Sequence, residues 1–243
     1  MVAADGYPAE LYARLHTGNE GDVSFYVDSC ADVGRILELG CGQGRIAGEL
    51  VAAGHDVVGI DIDESALLRA QQRGVSVFLA DMAEFDLGQQ FDVVIAPYNA
   101  LYCLLTDQAL GDCLRKVVKH LRSGGRFIFD VYHADHLERA EYATLDTAEA
   151  WIGTIDFDGQ TWDVYEASVR ADGGRQIEVT YRHVSHADSR ELEAVLHHRY
   201  FLRHEIETML LACRFDVQAC MDAFPHASIS PDERMLIIES MLR

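Results

Sequence analysis

Three glycines at alternate positions stand where an apolar run of the chain gives way to a helical pattern. Gly40, Gly42 and Gly44 follow Ile36-Leu37-Glu38-Leu39, and residues 45–51 have the apolar spacing of a helix. A glycine turn between a strand and a helix N-terminus lets a ligand approach bare backbone, with N–H groups pointing at it. A G-x-G-x-G motif alone is a weak signal, because glycine turns are common.

Two further apolar runs strengthen the signal, because each of them ends in an acid. Val57-Val58-Gly59-Ile60 is followed by Asp61. This acid comes about 20 residues after the first glycine, where a nucleotide-binding βαβ unit places a carboxylate for the ribose hydroxyls. The third run, Val75 to Ala80, ends in Asp81.

Taken together, three segments resemble a known family. Glu38-Leu39-Gly40-Cys41-Gly42-Gln43-Gly44, Gly59-Ile60-Asp61-Ile62 and Ala80-Asp81-Met82 are similar to the motifs of class I S-adenosylmethionine (SAM)-dependent methyltransferases. The resemblance covers residues 5–133 by the order and spacing of motifs, and the rest of the chain only in architecture.

The resemblance implies SAM as the cofactor and S-adenosylhomocysteine as the product. In the family the acid after the second strand binds the ribose and the acid after the third binds the adenine amino group, while Glu38 supports the glycine loop and the cofactor's amino group. Tyr26 belongs to an N-terminal segment that closes over the cofactor in similar enzymes, although packing on the sheet explains it equally well. The expected cofactor-binding residues are Tyr26, Glu38, Gly40, Cys41, Gly42, Asp61, Ile62, Asp81, Met82 and Ala96.

Methyl transfer from a sulfonium requires that donor and acceptor be aligned and shielded from water. It needs a base only if the acceptor must lose a proton. Tyr98 follows the fourth apolar run, Phe91–Ala96, and His133 follows the fifth, Phe127–Val131. Tyr12 lies in the N-terminal segment. We predict these three as catalytic residues. The ordinary pKa of a histidine suits proton removal near neutral pH. A local structural role, such as capping backbone groups, fits His133 equally well.

The elements that must position these residues alternate between strands and helices up to residue 133. This pattern predicts an α/β fold with a doubly wound, mostly parallel, Rossmann-like sheet. Four runs with a period of two follow, Trp151–Phe157, Trp162–Arg170, Gln176–Ser185 and Val195–Leu202, with hairpin turns at residues 158–159 and 172–174. We therefore expect residues 1–133 and 204–243 to form the SAM-binding domain, and residues 134–203 to form an inserted antiparallel lid over the active site.

Seven histidines lie between residues 133 and 204, so metal binding must be weighed. His183 and His186 run off the end of a predicted strand, while His197 and His198 point to opposite faces of one. His183 and His198 fit the lining of a pocket or the core of the lid. Trp151 and Trp162 are expected to be buried in the hairpin core. We predict no metal site.

The formal net charge of −20 disfavours a nucleic-acid substrate, because a field of that sign repels phosphate backbones. The six cysteines show no C-x-x-C spacing, and neither a signal peptide nor a long apolar span is apparent. These observations predict a cytoplasmic protein with a small-molecule acceptor and without nucleic-acid or membrane partners. They leave the oligomeric state open.

Three functions remain to be distinguished. The first is a methyltransferase that acts on O or N of a small molecule. The second is a SAM- or nucleotide-binding sensor or partner subunit without catalysis, which would need the same cofactor residues but not Tyr98 and His133. The third, a nicotinamide oxidoreductase, is disfavoured because Arg45 stands where the third glycine of a G-x-G-x-x-G motif belongs.

Overall fold

The computed structural model describes residues 9–139, 146–171, 174–188, 190–227 and 234–243. Six α-helices lie in these residues: α1 (Ala9–Leu15), α2 (Asp22–Ser29), α3 (Arg45–Ala52), α4 (Glu64–Gln72), α5 (Asp107–His120) and α6 (Arg203–Ala212). The strands are β1 (Arg35–Leu39), β2 (Asp56–Asp61), β3 (Ser76–Leu79), β4 (Phe91–Ala96), β5 (Leu121–Tyr132), β6 (Ala150–Phe157), β7 (Gln160–Ala171), β8 (Gln176–Ser185), β9 (Glu191–Arg199), β10 (Phe215–Met221) and β11 (Met235–Leu242).

These elements form two compact units. The parallel-sheet unit contains residues 18–134 and 201–243, and the antiparallel unit contains residues 9–17 and 135–200 of the described chain. The alternation of predicted strands and helices led us to expect all of residues 1–133 in the SAM-binding domain. In the structure, α1 packs on β6, so residues 9–17 group with the antiparallel sheet instead. The role of the insert as a lid over the active site stays a prediction.

The large sheet confirms the predicted Rossmann-like fold. Its strand order is β3-β2-β1-β4-β5-β11-β10, and the neighbours from β3 to β5 all run parallel. Strand β11 pairs antiparallel with both β5 and β10. Because the first five strands share a direction, the residues that follow them all emerge at one edge of the sheet, where open α/β sheets bind ligands.

Local chemistry explains where the crossover helices begin and end. The Asp63 carboxylate accepts hydrogen bonds from Ser65 N at 2.8 Å and Ala66 N at 3.2 Å, which caps α4. The Thr106 hydroxyl caps α5 by accepting from Ala109 N at 3.0 Å. The amphipathic helices then place apolar side chains on the sheet: Ile46 and Leu50 of α3 pack in one buried cluster with Ile36. Complete burial of each such side chain contributes roughly 1.5–3 kcal/mol.

The small sheet is a meander in the order β6-β7-β8-β9. Asp158 and Gly159, with φ of +53° and +68°, turn β6 into β7 as a hairpin, which confirms the turn predicted there. Residues 172 and 173 of the second predicted turn lie outside the described residues. Trp162 is buried as predicted, but the prediction for Trp151 was wrong. Trp151 is 60% exposed on the edge strand, where its indole N–H donates to Asp163.

One face of the central strand β8 is buried. Ile177, Val179, Tyr181, His183 and Ser185 alternate with more exposed residues, as the period of two predicts. His183 therefore shares a face with the apolar side chains, as the sequence indicated. Among the described residues, no helix has the length and apolar character that a membrane crossing requires.

Candidate functional site

The glycine loop after β1 forms the floor of the candidate site. Gly40, Gly42 and Gly44 have φ of +66°, +51° and +74°, the left-handed region in which glycine is favoured. Cys41 N donates to Ile60 O at 3.0 Å, which ties the loop to β2. A Cβ at Gly42 would meet no atom within 4 Å, so this backbone faces open space that a ligand can enter.

Gly59 on β2 has a different reason to be glycine, which the sequence analysis missed. A Cβ built there would lie 2.6 Å from Cys41 Sγ. The strand therefore has to lack a side chain at this position so that the loop can pack against it. Cys41 itself is buried, and burial raises the pKa of its thiol.

Asp61 joins the loop to the end of β2. Its Oδ2 accepts from Gly42 N at 2.8 Å and its Oδ1 accepts from Asp63 N at 3.0 Å. Burial raises the pKa of the carboxyl, and the two backbone donors oppose that shift. A buried carboxylate held by backbone N–H groups is fixed in position and keeps acceptor capacity for a further donor.

A small pocket lies beside this carboxylate, lined by Gly40, Asp61, Ile62, Ala80 and Met82. Four of these are among the predicted cofactor-binding residues, and the structure brings them together from three different strand ends. Ala80 was not on that list, although it precedes Asp81 in the third motif. Its N–H donates to Asp61 O at 2.9 Å, which holds the end of β3 against the end of β2.

The other predicted cofactor residues lie around this pocket or deeper in the same unit. Asp81 follows β3, is exposed, and accepts from Ala83 N at 2.7 Å through Oδ1. Ala96 is buried at the end of β4. Glu38 is buried at the end of β1, and burial raises the pKa of its carboxyl to about 8, opposed by Arg45 and the backbone of Ala47. Its Oε2 has no hydrogen-bond partner among the described residues.

Asp130 is a buried acid of β5 that the sequence analysis missed. Its Oδ1 accepts from the Tyr26 hydroxyl at 2.6 Å and from Tyr98 N at 3.0 Å. Burial raises the pKa of Asp130 to about 6, while these two donors lower it. The available signal was an acid inside the apolar run Phe127-Ile128-Phe129-Asp130-Val131. Tyr26, predicted to reach the cofactor, is fully buried and directs its hydroxyl to this carboxylate.

Arg45 makes a second buried connection to the same region. Its guanidinium donates to both carboxylate oxygens of Asp22, at 2.9 and 2.7 Å, and Asp22 is only 2% exposed. The guanidinium carbon also lies 5.4 Å from the centroid of the Tyr98 ring. Arg45, which stands where a G-x-G-x-x-G motif has its third glycine, thus lies against the ring of Tyr98, a predicted catalytic residue.

The structure places the three predicted catalytic residues in different surroundings. Tyr98 follows β4 and His133 follows β5, both half-buried at the tips of neighbouring strands. The backbone N–H of His133 donates to Arg234 O at 2.8 Å. Tyr12 lies on α1 in the antiparallel unit, where its ring centroid is 4.1 Å from that of His16.

Three histidines of the antiparallel unit form a group of their own. Burial lowers the pKa of His16 to about 3, helped by repulsion from His198 and His183, and lowers that of His183 and His198 to about 4. The ring of His16 also meets the edge of Tyr181 at 5.1 Å. In the part of the chain that the structure describes, no group of three or more metal-ligating side chains could hold a metal ion.

Comparison with known proteins shows that this chain is similar to methyltransferases. A family model described as a methyltransferase domain matches residues 36–125, from β1 to the middle of β5. The chain is 23% identical over 185 residues to dTDP-3-amino-3,4,6-trideoxy-alpha-D-glucopyranose N,N-dimethyltransferase of Streptomyces venezuelae, an alignment that covers 71% of this chain and 74% of that protein. It is 35% identical over 104 residues to malonyl-[acyl-carrier protein] O-methyltransferase of Bacillus cytotoxicus, covering 40% of this chain and 35% of that protein.

The alignments with two further bacterial methyltransferases also leave out much of those proteins, since they cover 45% and 44% of their lengths. Among solved structures, SAM-bound CalS10, an amino pentose methyltransferase from Micromonospora echinaspora, superposes with a TM-score of 0.75 at 22% identity and covers 98% of each chain. The common fold thus extends over nearly the whole chain, the antiparallel sheet included.

Proposed function

We propose that the chain is a class I SAM-dependent methyltransferase that transfers a methyl group to an oxygen or nitrogen atom of a small molecule. The observation that carries the proposal is the meeting of three strand ends at one pocket, with Gly40, Asp61 and Met82 on its walls. These residue types suit contact with a nucleoside, because a fixed carboxylate can accept from ribose hydroxyls and a methionine can contact a base.

The residues present also fit the rest of the cofactor. The open space over Gly42 leaves room for the chain of atoms beyond the ribose, and the unpartnered Oε2 of buried Glu38 could accept from an ammonium group. In this proposal Asp61 holds the ribose and Glu38 supports the amino group. When bound, SAM supplies a methyl group on a positively charged sulfur.

The remaining task for the protein is to hold the acceptor and keep water out. Tyr98 and His133 stand at the tips of β4 and β5, on the edge of the sheet where the parallel strands end. In the proposed mechanism the Tyr98 phenol orients the acceptor, and the His133 imidazole removes a proton from it. A positioned base of this kind contributes about 10²–10⁴-fold to the rate.

The relatives suggest which acceptors to test first. The names of two of them specify an amino sugar and an amino pentose, and a third is an O-methyltransferase of a carrier-bound acyl group. With a net charge of −20, the chain is poorly suited to approach a nucleic-acid backbone. We therefore propose amino sugars and other polyhydroxylated small molecules as acceptors. The six cysteines are free, which suits a reducing compartment, and we propose the cytoplasm.

A panel assay tests the proposal. The protein is incubated with SAM and a library of amino sugars, sugars and small amines and acids, and the formation of S-adenosylhomocysteine is measured. Turnover with at least one acceptor is expected. SAM binding by calorimetry without turnover on any compound would instead favour a sensor or a partner subunit.

His133→Ala should lower the turnover number by about 10²–10⁴-fold and leave SAM affinity within a few-fold. His55→Ala, which removes an imidazole from the start of β2 on the opposite edge of the sheet, is the matched control and should keep full turnover. The pH–rate profile of the wild type should show a limb that His133→Ala lacks. Equal turnover in the two proteins across the pH range rules out the proposed base.

A further inference from the structure

The carboxylate of Asp130 has no place in the mechanism above, yet it connects three elements of the parallel-sheet unit. A single oxygen, Oδ1, accepts both from the Tyr26 hydroxyl of α2 and from the backbone N–H of Tyr98 after β4. The other oxygen, Oδ2, has no partner among the described residues although it is buried. The chain therefore buries an acid at a cost and directs its bonds to the segment that carries a proposed catalytic residue.

The segment that receives this bond has an unusual backbone. Tyr98 and Asn99 have φ of +54° and +62°, so two successive residues with side chains occupy the left-handed region. Such conformations persist only where the surroundings enforce them, and they concentrate at functional sites. The Asp130 backbone O accepts from Asn99 N at 3.0 Å, and Asn99 Oδ1 accepts from Tyr132 N at 2.7 Å. With the Asp130 carboxylate, these bonds fix the left-handed pair to the end of β5.

The Tyr98 side chain is held from a second direction. The Arg45 guanidinium lies over its ring, and both oxygens of Asp22 hold that guanidinium in place. The backbone of Tyr98 is therefore set by Asp130 and the ring by Arg45. A residue whose only task was to turn the chain would need neither contact, because the glycines of this protein turn it without them.

We propose that Tyr26 and Asp130 are positioning residues that set the direction of the Tyr98 phenol toward the acceptor. This inference rests on the proposed function, in which Tyr98 orients the acceptor. The Tyr26 hydroxyl fixes the carboxylate, the carboxylate fixes the left-handed backbone, and the backbone fixes the phenol. Neither residue needs to touch the acceptor or the cofactor in order to act.

Tyr26→Phe is the central variant, because it removes one hydroxyl and keeps the ring in the buried cluster. We expect the turnover number to fall on the order of 10-fold or more, since small displacements of an orienting group are costly, while SAM affinity stays within about twofold. Ser240→Ala is the matched control. It removes another buried hydroxyl, that of Ser240 on β11, which donates to Phe127 O at 3.0 Å. Phe127 lies on β5, three residues before Asp130. Its turnover number should stay within about twofold of the wild type.

A double-mutant cycle separates positioning from general damage. In a Tyr98→Phe background, Tyr26→Phe should lower turnover no further, because the hydroxyl that it positions is already absent. The proposal is overturned if Tyr26→Phe lowers turnover no more than Ser240→Ala does. It is also overturned if Tyr26→Phe lowers turnover as much in the Tyr98→Phe background as in the wild type.

A measurement that needs no acceptor distinguishes failure of the positioning role from failure of the proposed function. The ten tyrosines can be replaced by 3-fluorotyrosine, and the Tyr98 fluorine resonance is assigned by its absence in Tyr98→Phe. That resonance should shift in Tyr26→Phe and stay in place in Ser240→Ala. An unchanged resonance in Tyr26→Phe overturns the positioning role. A shifted resonance in a protein that methylates no acceptor supports the positioning of Tyr98 and refutes only the proposed function.

Discussion

Buried titratable side chains of opposite charge type can be compared between the two units of this protein. The parallel-sheet unit buries carboxyl groups at strand ends, and burial raises the pKa of Glu38 to about 8 and that of Asp130 to about 6. The antiparallel unit buries imidazoles, and burial lowers the pKa of His16 to about 3 and that of His183 to about 4. Burial disfavours the charged form in every case, so the direction of each shift follows from the charge that the group would carry.

The surroundings of the two sets explain what each can do. Asp61 and Asp130 accept from backbone N–H groups, which favour their charged forms and fix their positions. Such acids suit a site that must hold a polar ligand. The His16 ring lies against the rings of Tyr12 and Tyr181, an environment suited to a neutral imidazole. In the parallel-sheet unit, backbone donors thus offset the cost of burying a carboxylate. In the antiparallel unit, the buried imidazole avoids the cost by staying neutral.

The largest expected effect comes from breaking the buried ion pair of the parallel-sheet unit. Arg45→Met leaves the Asp22 carboxylate buried without its bidentate partner, and removal of one member of such a pair costs about 3–5 kcal/mol. Urea unfolding of the cofactor-free protein measures the loss. The double variant Arg45→Met with Asp22→Asn should recover much of the stability, because it leaves no buried charge. A single variant as stable as the wild type would contradict the assignment of Arg45 as a structural cation.

The two sets of buried groups should give opposite pH dependences of stability. Glu38 has a raised pKa, so its contribution is fully present below about 4.5 and is lost as the pH rises toward about 8. His183 has a lowered pKa, so its contribution is fully present above about 6.5 and is lost as the pH falls toward about 4. Near pH 7, Glu38→Gln should therefore restore unfolding free energy on the order of 2 kcal/mol. Near pH 5, His183→Leu should restore a similar amount.

Unfolding free energies at about pH 5, 6, 7 and 8 test this pair of slopes, with His55→Leu as a control on the half-buried histidine at the start of β2. Parallel pH profiles for wild type, Glu38→Gln and His183→Leu would show that the contrast between the units has no thermodynamic consequence.

The sequence predicted the features that depend on neighbours along the chain. Strand–helix alternation correctly predicted that β1 to β5 run parallel to one another. The approach was less accurate for β9, predicted at residues 195–202 and found at Glu191–Arg199. Glu191 and Glu193 on this edge strand carry the polar pattern of a loop, but they pair with Val184 and Arg182 of β8.

The contacts that join distant segments could not be predicted in this way. Tyr26 and Asp130 are 104 positions apart, and nothing in either local sequence specifies the other. The left-handed conformation of Tyr98 is likewise set by β5, whereas its own sequence shows only a turn after Pro97. The predicted cofactor list held Gly40, Asp61, Ile62 and Met82 of the pocket because family motifs encode strand ends. It omitted Ala80, although this residue begins the third motif and its backbone N–H donates to Asp61 O at the end of β2.

A smaller effect is expected when a carboxylate of the parallel-sheet unit is removed without disturbing a buried cation. Asp61→Ala should weaken SAM binding at least about tenfold, because charge-assisted bonds to ribose hydroxyls are worth roughly 1.5–3 kcal/mol each. Asp56→Ala, at the opposite end of β2, is the control and should bind SAM normally. Calorimetry with SAM and S-adenosylhomocysteine gives both affinities. Unchanged affinity in a folded Asp61→Ala protein would remove this acid from the cofactor site.

The smallest effect is expected at the antiparallel unit's own bidentate pair, which sharpens the comparison with Arg45 and Asp22. Arg182 Nε and Nη2 donate to the two oxygens of Glu149 at 2.8 and 2.6 Å, so the geometry is as good as that of the buried pair. Glu149 is 42% exposed, however, whereas Asp22 is 2% exposed. Water solvates the separated ions here, so Arg182→Gln should leave the denaturant midpoint nearly unchanged. Any small loss should vanish in about 1 M sodium chloride, where the Debye length is about 3 Å. A loss as large as that of Arg45→Met, persisting in salt, would show that pairing geometry determines stability in both units. A negligible and salt-sensitive loss shows that burial makes the difference.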